Sequence, residues 1–518
     1  MAYTPVIIGV ADVKNKSHVH KEPATLMFEA ISHAIHDTGL ASFAPVTSQI
    51  DSIDVVRTWT WPYADLPSLL GKWLGLDERP AWTRYTNHGG NEPAKLVDEA
   101  AGRIARGESK VAVVTGGEAL ASVTACAKAG QAEPPDWTKP ATSVEDVFSP
   151  STMDLGQDIG GMHSIGAPIH IYPLYENAFR AHRGQTLKEN NDESAALYAD
   201  FAQVAARNQF SWNHGMKPAT KEEIGVVSKR NRMICSPYPL LMNAFNTVNL
   251  AAAVILTSTE NARELGVPEA KWIYPMGGAG RKEREHFWER PNFYRSDAIS
   301  VTLDECLSNS GFTITDIDVL DLYSCFPIVP KLACQHLALP ILESPKPLTL
   351  LGGLTSFGGA GNNYSMHAIT EMSRKLRNGK AKNGLILANG GMLSYQHALC
   401  LSSNPRTQGL PYPDSRGISS AIVGAAAQVQ PFAQGEAIIE TYTVQFDREG
   451  KPEMAFIIGR LVDGANRFVA NHGDQRTLQE LASAVEEQIG KVGYVETRRD
   501  ENGDTESNVF FVGPKPRI

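Results

Sequence analysis

Two parts of the chain alternate in the same order between helical hydrophobic periodicity and short apolar runs. In the first part, a periodic segment over 28–39 ends in glycine and is followed by the apolar run 53–56. In the second part, the segment 303–311 also ends in glycine and is followed by the run 317–322. Spacing of three to four residues indicates amphipathic helices, and short continuous apolar runs indicate strands buried on both faces. The pattern therefore predicts an internal duplication of helix–strand units.

A second pair of matching features supports the duplication. Each consists of a glycine-rich turn, a predicted helix, a lone glycine and an apolar strand that ends in a glycine pair. The features are residues 88–91, Gly107 and 116–117 in one part, and residues 359–362, Gly379 and 390–391 in the other. Each half thus predicts strand–helix–strand–helix–strand. Such alternation favours an α/β fold with helical layers around mostly parallel sheets.

The remaining segments differ in pattern from the two halves. Residues 121–243 are rich in Pro, Gly, Met and His and contain a helical run over Leu197–Arg207. Beyond about 430, alternating strands over 436–446 and 453–461 flank a turn, which is typical of a small β domain resembling an OB barrel. The predicted domains are an N-terminal half over 1–120 completed by 244–270, an inserted loop domain over 121–243, a C-terminal half over 271–425 and an OB-like domain over 430–518.

Composition narrows the possible functions. A chain of 518 residues exceeds the size of one hydrophobic core. The net charge is −9 and no cluster of Lys and Arg occurs, so nucleic acid is not a predicted partner. Six scattered cysteines lack metal-ligand spacing, which favours free thiols in a reducing compartment and no metal site. No run of eighteen apolar residues occurs, so no membrane span is predicted and the cytoplasm is the expected location.

The order of features around residue 90 resembles that of the thiolase superfamily, nearest the sterol-carrier-protein thiolase branch. The segments 201–208 and 249–256 resemble the loop-domain helix and the Ala-rich strand of that branch. The C-terminal module resembles the extra domain of thiolase-like proteins often described as acetyl-CoA acetyltransferases. The resemblance implies a duplicated, five-layered αβαβα fold. It also implies carbon–carbon chemistry on acyl-CoA, a CoA thioester as ligand with no further cofactor, and a homodimer.

The chain departs from the thiolase pattern at the positions that carry the reaction. Gly90 stands where a thiolase has its nucleophilic cysteine. Tyr323 stands at the histidine position of a block in which only Cys325 and Phe326 match, and Gly359 stands at a second histidine position. The late acid/base cysteine is absent around 387–392. The resemblance is therefore specific for the fold and not for the reaction.

Four side chains remain as candidates for catalysis. Cys325 follows a predicted strand at its carboxyl end, where α/β active sites lie, and a thiolate there could act as a nucleophile or an acid/base group. Tyr323 replaces the family histidine, and a phenol can donate to an oxyanion or exchange a proton. His367 lies about two turns into a helix that begins at a glycine loop, and His88 adjoins the nucleophile position.

The two glycine-rich loops are predicted to bind the thioester oxygen and CoA. Glycine lets the backbone approach a ligand closely, and a helix N-terminus presents free N–H groups. The predicted binding residues are Gly89, Gly90, Asn91, Gly358, Gly359, Gly361, Asn362 and Asn363.

These features leave three hypotheses open. The first is an acyltransferase that forms or breaks a carbon–carbon bond in acyl-CoA, with Cys325 or another group in place of the usual cysteine. The second is a thiolase-fold retro-aldolase that uses Tyr323 on a β-hydroxyacyl-CoA without a covalent intermediate. The third is a non-catalytic protein that binds acyl-CoA or lipid.

Overall fold

The computed structural model describes residues 3–76, 80–131, 134, 136–144, 158–407, 410–414, 422–483, 485–499 and 506–514. The predicted loop domain and the link to the C-terminal domain therefore each include residues outside the described part. Within that part, no helix is long and apolar enough to cross a membrane.

The strands are β1 (Pro5–Lys14), β2 (Ile50–Val55), β3 (Trp82–Tyr85), β4 (Val111–Ala119), β5 (Met233–Cys235), β6 (Tyr238–Pro239), β7 (Asn249–Ser258), β8 (Tyr274–Lys282), β9 (Val319–Leu322), β10 (Asn383–Gly390), β11 (Tyr395–Ser402), β12 (Gly435–Phe446), β13 (Pro452–Leu461), β14 (Arg467–His472), β15 (Val492–Arg499) and β16 (Glu506–Val512).

The helices are α1 (Pro23–Asp37), α2 (Ala44–Thr47), α3 (Leu66–Trp73), α4 (Glu92–Ala105), α5 (Leu120–Lys128), α6 (Ile159–Met162), α7 (Pro168–His182), α8 (Leu187–Arg207), α9 (Lys221–Gly225), α10 (Thr259–Leu265), α11 (Asp297–Ser310), α12 (Ile328–His336), α13 (Tyr364–Arg377) and α14 (Gln475–Ala482).

Two sheets form the two halves of the molecule. The first has the order β1-β7-β4-β2-β3 and the second has the order β8-β11-β10-β9. Among the described strands of these two sheets, only the pairs β2–β4, β2–β3 and β9–β10 are parallel, so the prediction of mostly parallel sheets is wrong. The apolar runs could not reveal this, because a strand buried on both faces has the same pattern whichever way its neighbour runs.

Helices α4 and α13 lie between the two sheets and contact both. Almost every residue of α4 is buried, and its charged members have partners. Arg103 forms an ion pair with Asp54, and Asp98 accepts hydrogen bonds from His397 at 3.1 Å and Tyr412 at 2.6 Å. Helices α1 and α11 cover the outer faces of the two sheets. The predicted five-layered, duplicated α/β architecture is thereby confirmed.

The C-terminal strands close into a barrel. The order is β12-β13-β14-β16-β15, and β12 pairs with both β13 and β15, which closes the ring. Helix α14 connects β14 to β15, the third and fourth strands of this barrel in chain order. The OB-like domain predicted from the alternating pattern is confirmed. The inserted strands β5 and β6 extend the same sheet from the edge of β12.

Buried polar contacts fasten the barrel to the rest of the chain. The fully buried Arg467 donates to the carbonyls of Trp288 at 3.0 Å, Pro291 at 3.2 Å and Arg290. Asn177 of α7 donates to the Tyr442 carbonyl at 2.8 Å. Because these backbone carbonyls need partners once buried, the barrel is an integral part of the fold.

The two halves are joined by a reciprocal contact between asparagine and glycine. Asn363 donates to the carbonyl of Gly116 at 2.7 Å, and a Cβ at Gly116 would overlap the Asn363 side chain. In the same way, a Cβ at Gly390 would overlap the side chain of Asn91. The contacts align Asn91 with Asn363, and they correct the sequence comparison, which had matched Asn91 with Asn362.

A methyl group at Gly116 should therefore weaken the joint between the halves. We expect Gly116→Ala to lower the free energy of unfolding by about 1–3 kcal/mol, since overpacking a close contact forces neighbours to move. The matched control is Gly102→Ala inside α4, where the new Cβ would meet only the flexible end of Arg106 at 3.1 Å. That control should be neutral or stabilise by about 0.5–1 kcal/mol. Equal denaturant midpoints for the two variants would contradict the reciprocal joint.

Candidate functional site

A cavity of about 340 Å³ opens where the chain leaves strands β3, β9 and β10. The carboxyl ends of all three strands lie at the cavity, and the carboxyl ends of strands are the usual location of α/β active sites. The lining residues from the two halves include Trp59, His88, Gly89, Gly90, Glu285, Tyr323, Cys325, Phe326, Leu354, Gly361, Asn362, Asn389, Gly390, Gly391, Met392, Ser394 and Tyr395. The insertion closes the cavity with Ala167, Pro168, Ile169, Tyr172 and Asn243, and the segment that follows it adds Ala244 and Asn246. Larger cavities lie elsewhere, but the predicted residues converge on this one.

Seven of the predicted site residues line this cavity, namely His88, Gly89, Gly90, Tyr323, Cys325, Gly361 and Asn362. Among the described residues, no group of three His, Cys, Asp or Glu side chains is arranged to hold a metal ion.

The structure does not bring His367 to the cavity. Its ring is fully buried in α13 and its Nδ1 lies 2.5 Å from the Asp12 carboxylate, which also pairs with Arg374 at 2.7 Å. The sequence showed the distance of His367 from the glycine loop but not its direction. Two turns along the helix, the side chain faces β1, so its contact with Asp12 is a structural hydrogen bond.

Four predicted binding residues also lie outside the cavity lining. Asn91 and Asn363 form the reciprocal joint between the halves. Gly359 donates its N–H to the carbonyl of Phe245 at 2.8 Å, and a Cβ at Gly358 would contact Val248 at 2.9 Å. The glycine loop of the second half thus packs against residues 245–248, just beyond the insertion, and of these predicted loop residues Gly361 and Asn362 reach the cavity.

Gly90 has no room for a side chain. A Cβ there would lie 2.5 Å from the carbonyl oxygen of Asn389 and 2.6 Å from the hydroxyl of Tyr323. Both distances are below those that real Cβ atoms show. The phenol therefore occupies the space into which a nucleophile at position 90 would project. Restoring a cysteine at this position would create a clash and would not produce an exposed thiol.

Tyr323 carries the side-chain polar atom closest to this position. Only 6% of the residue is exposed, and burial followed by the neighbouring Cys325 raises the pKa of its hydroxyl well above the usual value. Within the described part of the chain, its hydroxyl makes no hydrogen bond. Its backbone N–H continues the sheet by donating to Leu387 at 3.0 Å. The side chain is thus held at the cavity with a protonated phenol available to a ligand.

Cys325 lies in the same cavity as a thiol. Burial raises the pKa of its side chain to about 12, although Tyr172 and Asn389 are near enough to oppose that shift. The amide nitrogen of Asn389 lies 3.9 Å from its sulfur. Since the thiolate is the nucleophilic form, this environment leaves Cys325 without its reactive state at neutral pH.

His88 is a half-buried lining residue of the cavity, and its imidazole is neutral at pH 7. Burial and the nearby Arg57 guanidinium lower the pKa of its imidazole to about 4. Its Nδ1 lies 3.1 Å from the amide nitrogen of Asn362. The same Asn362 side chain contacts the backbone of Gly89 and Arg57.

Sequence reasoning missed Tyr172 and Asn389, two cavity-lining residues next to Cys325. The hydroxyl of Tyr172 accepts from Asn389 at 2.8 Å and from the N–H of Leu393 at 3.2 Å, and it donates to the carbonyl of Gly391 at 3.1 Å. The ring of Tyr172 stacks on Phe326 with centroids 4.6 Å apart. Asn389 precedes the glycine pair that marked the duplication, which was a signal for its position. Tyr172 comes from the insertion and had no such signal.

The buried carboxyl group of Glu118 contacts two segments that line the cavity, residues 58–60 and the loop at Gly361. Glu118 accepts hydrogen bonds from the backbone N–H of Trp59 at 2.8 Å, from the hydroxyl of Thr58 at 2.7 Å and from Thr60. A Cβ at Gly361 would overlap Glu118, so the glycine lets the loop pass close to it. Burial raises the pKa of Glu118 to about 7 in spite of these donors.

Comparison with known proteins identifies close structural relatives. A sequence profile of the thiolase-like protein type 1 additional C-terminal domain matches residues 421–502. A monomeric SCP2-thiolase-like protein type 1 from Mycobacterium smegmatis is 30% identical, with a TM-score of 0.80 over 98% of this chain and 99% of that chain. No curated protein matches in sequence. The homodimer predicted for this chain stays a prediction.

More distant structures share the fold of the two halves. The Ltp2-ChsH2(DUF35) aldolase is 18% identical, with a TM-score of 0.59 over 79% of this chain and 99% of that chain. An acetyl-CoA acetyltransferase from Syntrophomonas wolfei is 15% identical, with a TM-score of 0.55 over 78% of this chain and 100% of that chain. At these identities the likeness is one of fold.

Alkylation should reveal the protonated state of Cys325. At pH 8 we expect iodoacetamide to modify it at least about 100-fold more slowly than glutathione, because only a small fraction is thiolate. The rate should rise about tenfold per pH unit between pH 7 and 10. Peptide mass mapping separates Cys325 from the other cysteines. Labelling as fast as glutathione would show that the cavity stabilises a thiolate.

Glu118 should make stability depend on pH. A carboxyl whose pKa is raised on folding holds its proton better in the folded state, so its contribution is greatest below about pH 4.5 and is lost as pH rises to about 7. The loss amounts to about 3 kcal/mol at most. We expect the free energy of unfolding of the wild type, minus that of Glu118→Gln, to fall from pH 5 to pH 8 in urea titrations, because the variant lacks the titrating carboxyl. A constant difference would contradict the raised pKa.

Proposed function

The chain belongs to the SCP2-thiolase-like proteins of type 1, and we propose that it breaks or forms a carbon–carbon bond in a β-hydroxyacyl-CoA without a covalent acyl-enzyme. The proposal rests on one observation: the hydroxyl of Tyr323 occupies the space beside Gly90 where a nucleophile would stand. The ligand is proposed to be a CoA thioester whose acyl group enters the cavity.

In the proposed site, the thioester oxygen accepts from the backbone N–H of Gly90. Within the described residues that N–H has no other acceptor, and it lies at the N-terminal end of α4. Free N–H groups at a helix N-terminus favour a developing negative charge. Because Gly90 has no side chain, only its backbone can contribute.

In the proposed reaction, the bond between the α- and β-carbons breaks and its electron pair moves onto the thioester as an enolate. The β-hydroxyl loses its proton and becomes a carbonyl. Tyr323 receives that proton as its own phenolic proton passes to the α-carbon. The phenol is unchanged at the end, and the products are an acetyl-type thioester and a carbonyl compound. A relay of this kind suits a phenol with a raised pKa, since no phenolate has to accumulate.

The similarity in fold to an aldolase supports this class of reaction. Acyl transfer through Cys325 has less support, because the raised pKa of the thiol disfavours the nucleophile that such transfer requires. Binding without catalysis is the remaining alternative, and turnover assays separate it from the proposal.

Replacement of the Tyr323 hydroxyl is the decisive test of the lyase. A panel of 3-hydroxyacyl-CoA substrates is incubated with the enzyme, and acetyl-CoA and carbonyl products are measured by mass spectrometry. We expect Tyr323→Phe to lower kcat by roughly 10²–10⁴-fold, the usual contribution of a group that transfers a proton. Absence of turnover on the whole panel in the wild type would leave binding without catalysis as the function.

The matched control is Tyr364→Phe. Tyr364 is a buried tyrosine whose ring lies 5.5 Å from that of Tyr323, but its hydroxyl accepts from the N–H of Gly353 and not from a ligand in the cavity. This variant should keep kcat within several-fold of the wild type. A second comparison uses Cys325→Ala. Loss of turnover in that variant, together with an acyl adduct on Cys325 in the wild type, would replace the lyase with acyl transfer.

A further inference from the structure

We propose that Asn362 is a positioning residue that holds His88 as a neutral imidazole with its proton on Nε2, so that His88 donates a hydrogen bond in the cavity and does not act as a base. The proposal rests on the proposed thioester site for its functional meaning. The arrangement of Asn362 and His88 stands on its own contacts.

The orientation of the Asn362 amide is determined by the backbone. Its Oδ1 accepts from the N–H of Gly89 at 3.0 Å, and its Nδ2 donates to the carbonyl of Arg57 at 2.8 Å. Rotating the amide by half a turn would set two donors against each other at Gly89 and two acceptors against each other at Arg57. Neither pair could form a hydrogen bond, and Asn362 is 2% exposed. Only one orientation is therefore satisfied.

This orientation determines the tautomer of His88. The second hydrogen of the Asn362 Nδ2 is directed at Nδ1 of His88 over 3.1 Å. An Nδ1 that accepts a hydrogen bond carries no proton, so a neutral His88 has its proton on Nε2. A positively charged ring would place an N–H against the Asn362 N–H. Burial and the Arg57 guanidinium oppose that charge as well.

The other titratable groups on the cavity wall are Tyr323, Cys325, Tyr172, Tyr395 and Glu285. Burial raises the pKa of both Tyr323 and Cys325, so neither supplies a negative charge that would protonate His88. Glu285 is exposed at the rim.

This tautomer specifies the kind of atom that the cavity receives. Nε2–H of His88, the phenol of Tyr323 and the N–H of Gly90 are all neutral donors of residues that line the cavity. Donors fixed in advance stabilise an oxygen that becomes negative during a reaction. The inferred ligand atom is therefore the thioester oxygen, which gains charge as the enolate forms. A neutral imidazole supplies this stabilisation without transferring its proton.

Nitrogen NMR of 15N-histidine protein tests the tautomer directly. The His88 signals are assigned by their loss in His88→Gln. In the wild type we expect the Nε2–H form between pH 5 and 8. Asn362→Asp keeps an acceptor for Gly89 but turns the donor into an acceptor, so it should convert His88 to the Nδ1–H form. Asn362→Ala removes the donor and should give a mixture of tautomers.

The matched control is Asn363→Ala, the adjacent asparagine, whose amide contacts Gly116 and not His88. It should leave the tautomer of His88 unchanged even where it lowers the melting temperature. A wild-type His88 that is charged or carries its proton on Nδ1 at pH 7 overturns the proposal, and this result needs no variant. An unchanged tautomer in both Asn362 variants overturns it as well.

A binding measurement connects the tautomer to the thioester site. Calorimetry with 3-hydroxybutyryl-CoA should give a Kd at least about tenfold weaker for Asn362→Asp than for the wild type, which corresponds to the loss of one donor to a ligand oxygen. If the NMR result is as expected and 3-hydroxybutyryl-CoA does not bind the wild type, the positioning role stands and the proposed function fails. If the ligand binds equally to both proteins after the tautomer has changed, His88 is not the donor and the proposal fails.

Discussion

The structure depends on a close approach between the two duplicated halves. Each half presses an asparagine against a glycine of the other half's sheet, Asn91 against Gly390 and Asn363 against Gly116. The glycines are required because any Cβ would overlap the asparagine side chain. This contact brings the N-terminal ends of α4 and α13 together, and the cavity forms beside them. The approach of the halves thus creates the space in which a ligand can lie between them.

The same approach decides which side chains can occupy the site. Gly90 lies against the carbonyl of Asn389 and the hydroxyl of Tyr323, so position 90 is closed to side chains. On the other half, Asn362 reaches across to Gly89, Arg57 and His88. The first half contributes the backbone of Gly89 and Arg57 and the ring of His88, and the second half contributes the Asn362 amide that contacts all three.

Burial gives the cavity its chemical character. It raises the pKa of Tyr323 and Cys325 and lowers that of His88, so all three are uncharged near neutral pH. A site of neutral donors stabilises an oxyanion better than it generates a nucleophile. This is why the proposed reaction proceeds through an enolate and a proton relay. The contribution of the insertion is to close the cavity, with Tyr172 fixing the wall that carries Asn389.

The sequence by itself determined the duplication, the layered α/β halves and the OB-like barrel, because hydrophobic period and turn residues report burial and local backbone. It also identified the two glycine-rich loops, some of whose residues line the cavity. Strand direction was left to the tertiary structure, since strands buried on both faces read alike. The tertiary structure also decided that the Tyr323 hydroxyl lies beside Gly90, that His367 contacts Asp12 and that Asn362 contacts His88. Each of these joins residues far apart in the chain, and their distances follow from how the two halves pack.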